Sequence, residues 1–124
     1  MAKTILIVDD SATMLMSLRT TLEVAGFKVD SAPDGVQALA RLRNGPRPDL
    51  VLTDINMPNM GGLELIAQAR ALHGMRFVPI LVLTTETQQA RRDEAKRAGA
   101  TGWLVKPVQG SELLKVIKQV LPGA

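Results

Sequence analysis

The chain contains no cysteine and no tyrosine, and its 124 residues include one histidine, one tryptophan and two phenylalanines. Without cysteine there is neither a disulfide framework nor a thiolate metal site. His73 alone cannot build a histidine cluster for zinc. Long apolar runs are also missing. None approaches the length of a membrane span, and Met1-Ala2-Lys3 passes directly into strand-like sequence without the organisation of a signal peptide. The absences leave a single cytoplasmic domain as the expectation, and an apolar share of 46% supplies a core for it.

The formal charge of +3 raises nucleic acid as a partner, so its distribution matters. Residues 87–118 hold seven of the fifteen Lys and Arg but three of the twelve Asp and Glu, so the basic excess sits in the last third. Asp93, Glu94 and Glu112 interrupt it. With little aromatic content and no helix-turn-helix pattern, a solvated helical face explains the charge better than a DNA-binding surface. Neither nucleic acid nor membrane is an expected partner.

What is present is a strict alternation of strand and helix. Asp49-Leu50-Val51-Leu52-Thr53-Asp54 reads as a central strand, because its apolar run has the form of a strand covered on both faces. Ahead of it, Thr4 to Asp9 is a strand and Ser11 caps a helix reaching about Ala25, with Leu15, Leu18 and Leu22 as its packing stripe. Lys28 to Ala32 is a poorer strand at a sheet edge. Asp34 and Gln37 form a capping-box pattern opening a helix that carries Val36, Leu39, Ala40 and Leu42. Beyond the central strand, Gly61-Gly62 opens a helix with Leu63, Ile66, Ala67 and Ala69. Val78 to Leu83 is the fourth strand, with Pro79 tolerated near its start. Gln88 to Ala98 is a polar helix with only Ala90, Ala95 and Ala98 as apolar cover. Trp103-Leu104-Val105 is the last strand, and Ser111 to Leu121 the last helix, packing through Leu113, Leu114, Ile117, Val120 and Leu121. Five such units predict an open parallel sheet with helices on both faces. Residues 1–124 are expected to be one domain with no output domain, closing at Leu121-Pro122-Gly123-Ala124.

In a parallel sheet the carboxyl ends of all strands share one edge, where open α/β folds place their chemistry. Asp9 and Asp10 end strand one, Asp54 ends strand three, Thr84 ends strand four and Lys106 ends strand five. Carboxylates crowded without a cation would repel one another. Lys106 offsets one charge, and Mg²⁺ suits the remainder as a hard ion that takes oxygen ligands. Asp54 is then the group free to attack a phosphoryl group, with Lys106 and the Thr84 hydroxyl on the transferred oxygens.

Four stretches carry a resemblance: Val8-Asp9-Asp10-Ser11, Asp54-Ile55-Asn56-Met57-Pro58-Asn59-Met60, Thr84-Thr85-Glu86, and Gly99-Ala100-Thr101-Gly102-Trp103-Leu104-Val105-Lys106-Pro107. Together they resemble a receiver domain of two-component signalling, most closely the stand-alone chemotaxis response regulator of the CheY type. That resemblance implies a flavodoxin-like (βα)5 three-layer sandwich with strand order 2-1-3-4-5. It implies Asp54 as phosphoacceptor, Mg²⁺ held by Asp9, Asp10, Asp54 and the Asn56 carbonyl, and Lys106 on the acyl phosphate. Thr84 becomes the switch hydroxyl and Trp103 the switch aromatic. Asn56 and Glu86 would tune dephosphorylation, and the Lys106-Pro107 bond would be cis. A partner face of Arg91, Arg92, Lys96, Arg97, Trp103, Lys115 and Lys118 is expected on the fourth helix, fifth strand and fifth helix, with Trp103 at the surface between the two helices. The partners implied are a sensor histidine kinase of chemotaxis type, a flagellar motor switch protein or other output target, and a phosphatase. The chain itself would be a monomer.

The sequence also departs from the family pattern. Gly61-Gly62 stands where Asp-Gly is usual, so the third helix lacks an acidic cap, and Leu15 follows Met14 where a basic residue is common. Three readings stay open: a diffusible switch for the flagellar motor, a receiver acting as phosphate sink or relay or on a non-motility target, and a metal-dependent phosphohydrolase. The last would need an acid–base aspartate two residues after the nucleophile and a cap over the substrate. Asn56 occupies that position and no segment remains for a cap. Catalysis is therefore expected only on the chain's own Asp54.

Overall fold

The computed structural model describes residues 2–121 and Gly123. The expectation for the tail at Pro122 and Ala124 lies outside them. The order is β1 (Thr4–Val8), α1 (Ala12–Val24), β2 (Lys28–Ala32), α2 (Gly35–Asn44), β3 (Leu50–Thr53), α3 (Gly62–Arg70), β4 (Ile80–Thr84), α4 (Gln89–Ala98), β5 (Gly102–Val105) and α5 (Gly110–Val120). All pairings are parallel, in the order β2-β1-β3-β4-β5. This is the flavodoxin-like (βα)5 fold that the sequence implies.

Side-chain alternation along the strands divides the core in two. Ile5, Ile7, Leu50, Leu52, Leu81 and Leu83 face α1 and α5, where they meet Leu18, Leu22, Leu113 and Ile117. Leu6, Val8, Val51, Ile80 and Val82 face the other way, onto Ala38, Leu39, Leu65, Ile66, Ala69 and Ala95 of α2, α3 and α4. Every residue of β3 and β4 is buried, as strands covered on both faces require. The edges β2 and β5 are only partly covered. No helix among the described residues is long and apolar enough to cross a membrane.

Several local expectations are corrected. β4 begins at Ile80 rather than Val78. Pro79 has no N–H to give, and its carbonyl accepts the Val51 N–H at 3.0 Å just ahead of the ladder. On α2 the buried face is Gly35, Ala38 and Leu39, while Val36 and Ala40 are exposed. On α3, Leu65 is buried and Ala67 exposed. Leu39, Ile66 and Ala69 are buried and Leu42 and Leu63 pack on the core as expected, so each stripe is widened at one side and trimmed at the other. Short helices with several small apolar residues leave the margins of the stripe open, and packing on the sheet settles them. On α4 Ala95 is the buried residue.

Candidate functional site

Four strand ends, those of β1, β3, β4 and β5, build the site. Asp9 follows β1 with its N–H on the Ala32 carbonyl at 3.2 Å, and Asp54 follows β3 with its N–H on the Val8 carbonyl at 2.9 Å. These ladder bonds set the two aspartates side by side. Lys106 is drawn in from β5, its N–H on the Thr84 carbonyl at 2.8 Å, and its bond to Pro107 is cis.

Lys106 Nζ donates to Asp9 Oδ2 at 2.7 Å and to Asp54 Oδ2 at 3.0 Å. The other oxygens are held by backbone. Asp9 Oδ1 accepts the Ser11 N–H at 2.9 Å, and Asp54 Oδ1 accepts those of Ile55 at 2.6 Å and Asn56 at 3.4 Å. Each carboxylate is thereby fixed in rotation by two different kinds of donor. Asp9 and Asp54 are only 3% and 9% exposed, so their charges are poorly hydrated. Burial pulls the Lys106 ammonium down, but the hydrogen bonds and attraction of Asp9 and Asp54 outweigh it and hold it above the usual lysine range.

One ammonium does not balance two buried carboxylates, and a third acid stands beside them. Asp9, Asp10 and Asp54 can each present an oxygen within 4.8 Å of the others. An all-oxygen, net-negative set of this kind fits a hard divalent cation such as Mg²⁺. Asp10 is exposed, so the set opens to solvent.

Thr84 ends β4 beside β3, fully buried, with its Oγ1 accepting the Glu86 N–H at 3.2 Å. Asn56 is exposed in the loop after Asp54, and Glu86 holds the Gln88 N–H ahead of α4 at 3.1 Å. The structure thus brings Asp9, Asp10, Asp54 and Lys106 together, with Thr84, Asn56 and Glu86 around them on the same edge.

Trp103 stands apart from this group, and its seat differs from the expected one. It pairs with Val82 across the β4–β5 ladder and shares that residue's side of the sheet, so it packs toward α4 rather than between α4 and α5. Leu104, the next residue, takes the α5 side. The indole is half-buried, Arg92 lies over its ring at 6.0 Å, and its Nε1–H is buried without a partner among the described residues. Lys96 and Arg97 are exposed on α4, as are Lys115 and Lys118 on α5, whereas Arg91 is half-buried in an ion pair with Glu94 at 3.7 Å.

Asp34 caps α2 through the Gln37 N–H at 2.9 Å, as the sequence pattern predicts. Two further supports of the site have no signal in the sequence. The first is the bond that Asp34 accepts from Asn59 Nδ2 at 2.9 Å, tying the loop after Asp54 to α2. The Gln37 hydrogen bond first, and then that of Asn59, hold this carboxyl below its ordinary value. The second support is Gly62. A Cβ there would collide with the Asp54 carbonyl oxygen, so only glycine lets α3 start this close to the site.

Comparison with known proteins agrees with this geometry. The family model for the response regulator receiver domain matches residues 5–118. Protein PilH of Pseudomonas aeruginosa is 39% identical over 119 residues, which span 96% of this chain and 98% of that protein. The chemotaxis protein CheY4 of Vibrio cholerae has a solved structure that matches with a TM-score of 0.93 at 42% identity, covering 98% of this chain and 100% of that one. The receiver domain of the Pseudomonas aeruginosa sensor histidine kinase PA1611, solved with a magnesium ion in its active site cleft, matches with a TM-score of 0.90 at 28% identity, covering 98% of both chains. By sequence, fold and acidic cluster, this chain belongs to the response regulator receiver family and is a CheY-like receiver domain.

Proposed function

We propose that the chain is a phosphorylation-controlled switch of the cytoplasm, which accepts a phosphoryl group on Asp54 from a sensor histidine kinase of chemotaxis type. The observation that carries this reading is the position of Lys106 Nζ between Asp9 and Asp54, at 2.7 and 3.0 Å. A carboxylate oxygen of Asp54 attacks phosphorus, and the phosphorus–nitrogen bond to the kinase histidine breaks with its electron pair going to nitrogen. Asp54 is left as an acyl phosphate. Lys106, already on Asp54, is placed to pair with a phosphoryl oxygen as charge moves onto the new group. The Thr84 hydroxyl donates to another. Asp9, Asp10, Asp54 and the Asn56 carbonyl would hold Mg²⁺, which when bound neutralises the oxygens of the transferring group. Asn56 and Glu86 flank that group, and they set how readily water reaches it when the acyl phosphate hydrolyses.

Output runs through Trp103 and the basic surface of α4, with Lys115 and Lys118 of α5. Arg91, Arg92, Lys96 and Arg97 steer an acidic partner onto that face. The flagellar motor switch is the target this reading favours, with the chain acting as a monomer and a phosphatase ending the signal. The test is calorimetric titration of purified flagellar motor switch protein from the source organism into the chain, in Mg²⁺ with and without beryllofluoride. Binding confined to the beryllofluoride state is the expected result. Equal or absent binding in both states contradicts docking and favours a phosphate sink, a relay or a non-motility target.

A further inference from the structure

The strand edge opposite Asp54 carries a surface that phosphorylation does not require. An open groove of about 560 Å³ lies between the entry to β3 and the connection from α3 to β4, lined in part by Arg47, Asp49, Arg70, His73, Arg76 and Phe77. Phe77 is 88% exposed, the highest value among the exposed large hydrophobics of the described residues. Its exposure does not come from a loose loop. Arg70 Nη1 donates to the Met75 and Val78 carbonyls at 2.7 and 2.6 Å, and Arg47 Nη1 to the Gly74 carbonyl at 3.0 Å. The connection is pinned on both sides of Phe77, and it presents the ring outward with the Arg76 guanidinium over it at 5.5 Å.

The charge of the groove is equally one-sided. Arg47, Arg70 and Arg76 line it, and none is ion-paired with a carboxylate among the described residues. Asp49, the one carboxylate in the lining among the described residues, is committed through Oδ2 to the Thr4 N–H at 2.8 Å. An exposed aromatic on a pinned backbone, beside guanidinium groups that no carboxylate of the described residues neutralises, is the composition of a binding hot spot, since little backbone order is lost when a partner arrives.

We propose that this groove docks an acidic segment of a partner protein, with carboxylates on Arg47 and Arg76 and an apolar side chain on Phe77, whatever the state of Asp54. The unpaired positive charge selects the sign of the partner, and the exposed ring selects its apolar anchor. Separation from Asp54 follows from the fold. A strand of this length spans roughly 15 Å, and the groove lies at the entry end of β3 and β4. A partner held there stays bound while the switch face changes, which keeps the chain near its kinase or target at high effective concentration. Docking itself does not depend on Asp54 being the phosphoacceptor; only its indifference to phosphorylation rests on that reading.

The test uses the full ¹⁵N-labelled chain and a fluorescein-labelled synthetic peptide of alternating glutamate and leucine, in Mg²⁺ with and without beryllofluoride. Amide shifts centred on residues 73–79 and on Arg47, equal in both states, are expected. Phe77→Ala and Arg76→Glu should each weaken the peptide by about tenfold or more, the scale of a hot-spot truncation. Arg43→Glu, an exposed charge reversal outside the groove, should change affinity by less than about twofold, the scale of an ordinary surface charge. Because Arg76 and Phe77 are exposed, these variants should fold as the wild type does. Shifts centred on α4, or equal losses from all three variants, overturn the proposal. So does tighter binding of phosphatidylserine vesicles or duplex DNA that Phe77→Ala and Arg76→Glu abolish, which would mark a membrane or nucleic-acid surface instead.

Discussion

Asp34 holds Asn59 across twenty-five positions of sequence, Asn59 Nδ2 donating to Asp34 Oδ2 at 2.9 Å. Asn59 has a positive φ of 68°, a conformation that asparagine tolerates better than most side chains. The same carboxylate caps α2, and the Gly35 N–H donates to the Met60 carbonyl at 3.0 Å. The loop after Asp54 is therefore fastened to a helix rather than left to solvent.

Asp34→Ala should destabilise the chain by about 2 kcal/mol in urea unfolding, from loss of the cap and of the charge-assisted bond to Asn59. Asp34→Asn keeps a capping oxygen and removes the charge. Because the folded carboxyl lies below its ordinary value, its contribution is present above about pH 4 and is lost as pH falls through the folded value. The stability difference between wild type and Asp34→Asn should shrink below pH 4. A constant difference between pH 7 and pH 3 would contradict this.

Gly62→Ala tests the close approach of α3. The added Cβ meets the Asp54 carbonyl oxygen and lies 3.0 Å from the Ile55 Cα, both backbone atoms that cannot swing aside. A loss of about 2 kcal/mol is expected from the overpacking, with slower phosphorylation by acetyl phosphate because Asp54 itself is displaced. Wild-type stability and rate in this variant would show that the loop yields without disturbing the site.

Thr84 and Trp103 share one side of the sheet, Trp103 opposite Val82 and Thr84 opposite Val105. If the Thr84 hydroxyl moves to the phosphoryl group, the packing under the indole changes, a local event that a bistable face can report. Trp103 is the only tryptophan and there is no tyrosine, so intrinsic fluorescence observes this place alone. Beryllofluoride with Mg²⁺ should change its emission, and Thr84→Ala should blunt the change while leaving phosphorylation of Asp54 largely intact. Identical spectra and identical iodide quenching in both states would reject the coupling.

The fold and the acidic edge were legible because they rest on order along the chain. Strict alternation of strand and helix sends Asp9, Asp54, Thr84 and Lys106 to one edge whatever the details of packing. The connections between distant residues were not. Asp34 shows its cap to Gln37 within three positions, but its bond to Asn59 depends on how the loop folds back. Arg70 looks like an ordinary helix-end arginine, yet it donates to the carbonyls of Gly99, Met75 and Val78. The seat of Trp103 was misjudged because a four-residue strand shows too little alternation to say which side each residue takes. Once Leu104 packs with α1 and α5, Trp103 must turn toward α4.

The most direct measurement of the central claim is the intact mass of the chain after incubation with acetyl phosphate and Mg²⁺. Wild type should gain one phosphoryl group, Asp54→Asn should gain none, and EDTA should abolish the gain, because the charge of the transferring group is then left without its divalent counter-ion. A phosphoryl group on Asp54→Asn at the wild-type level would contradict the assignment of Asp54.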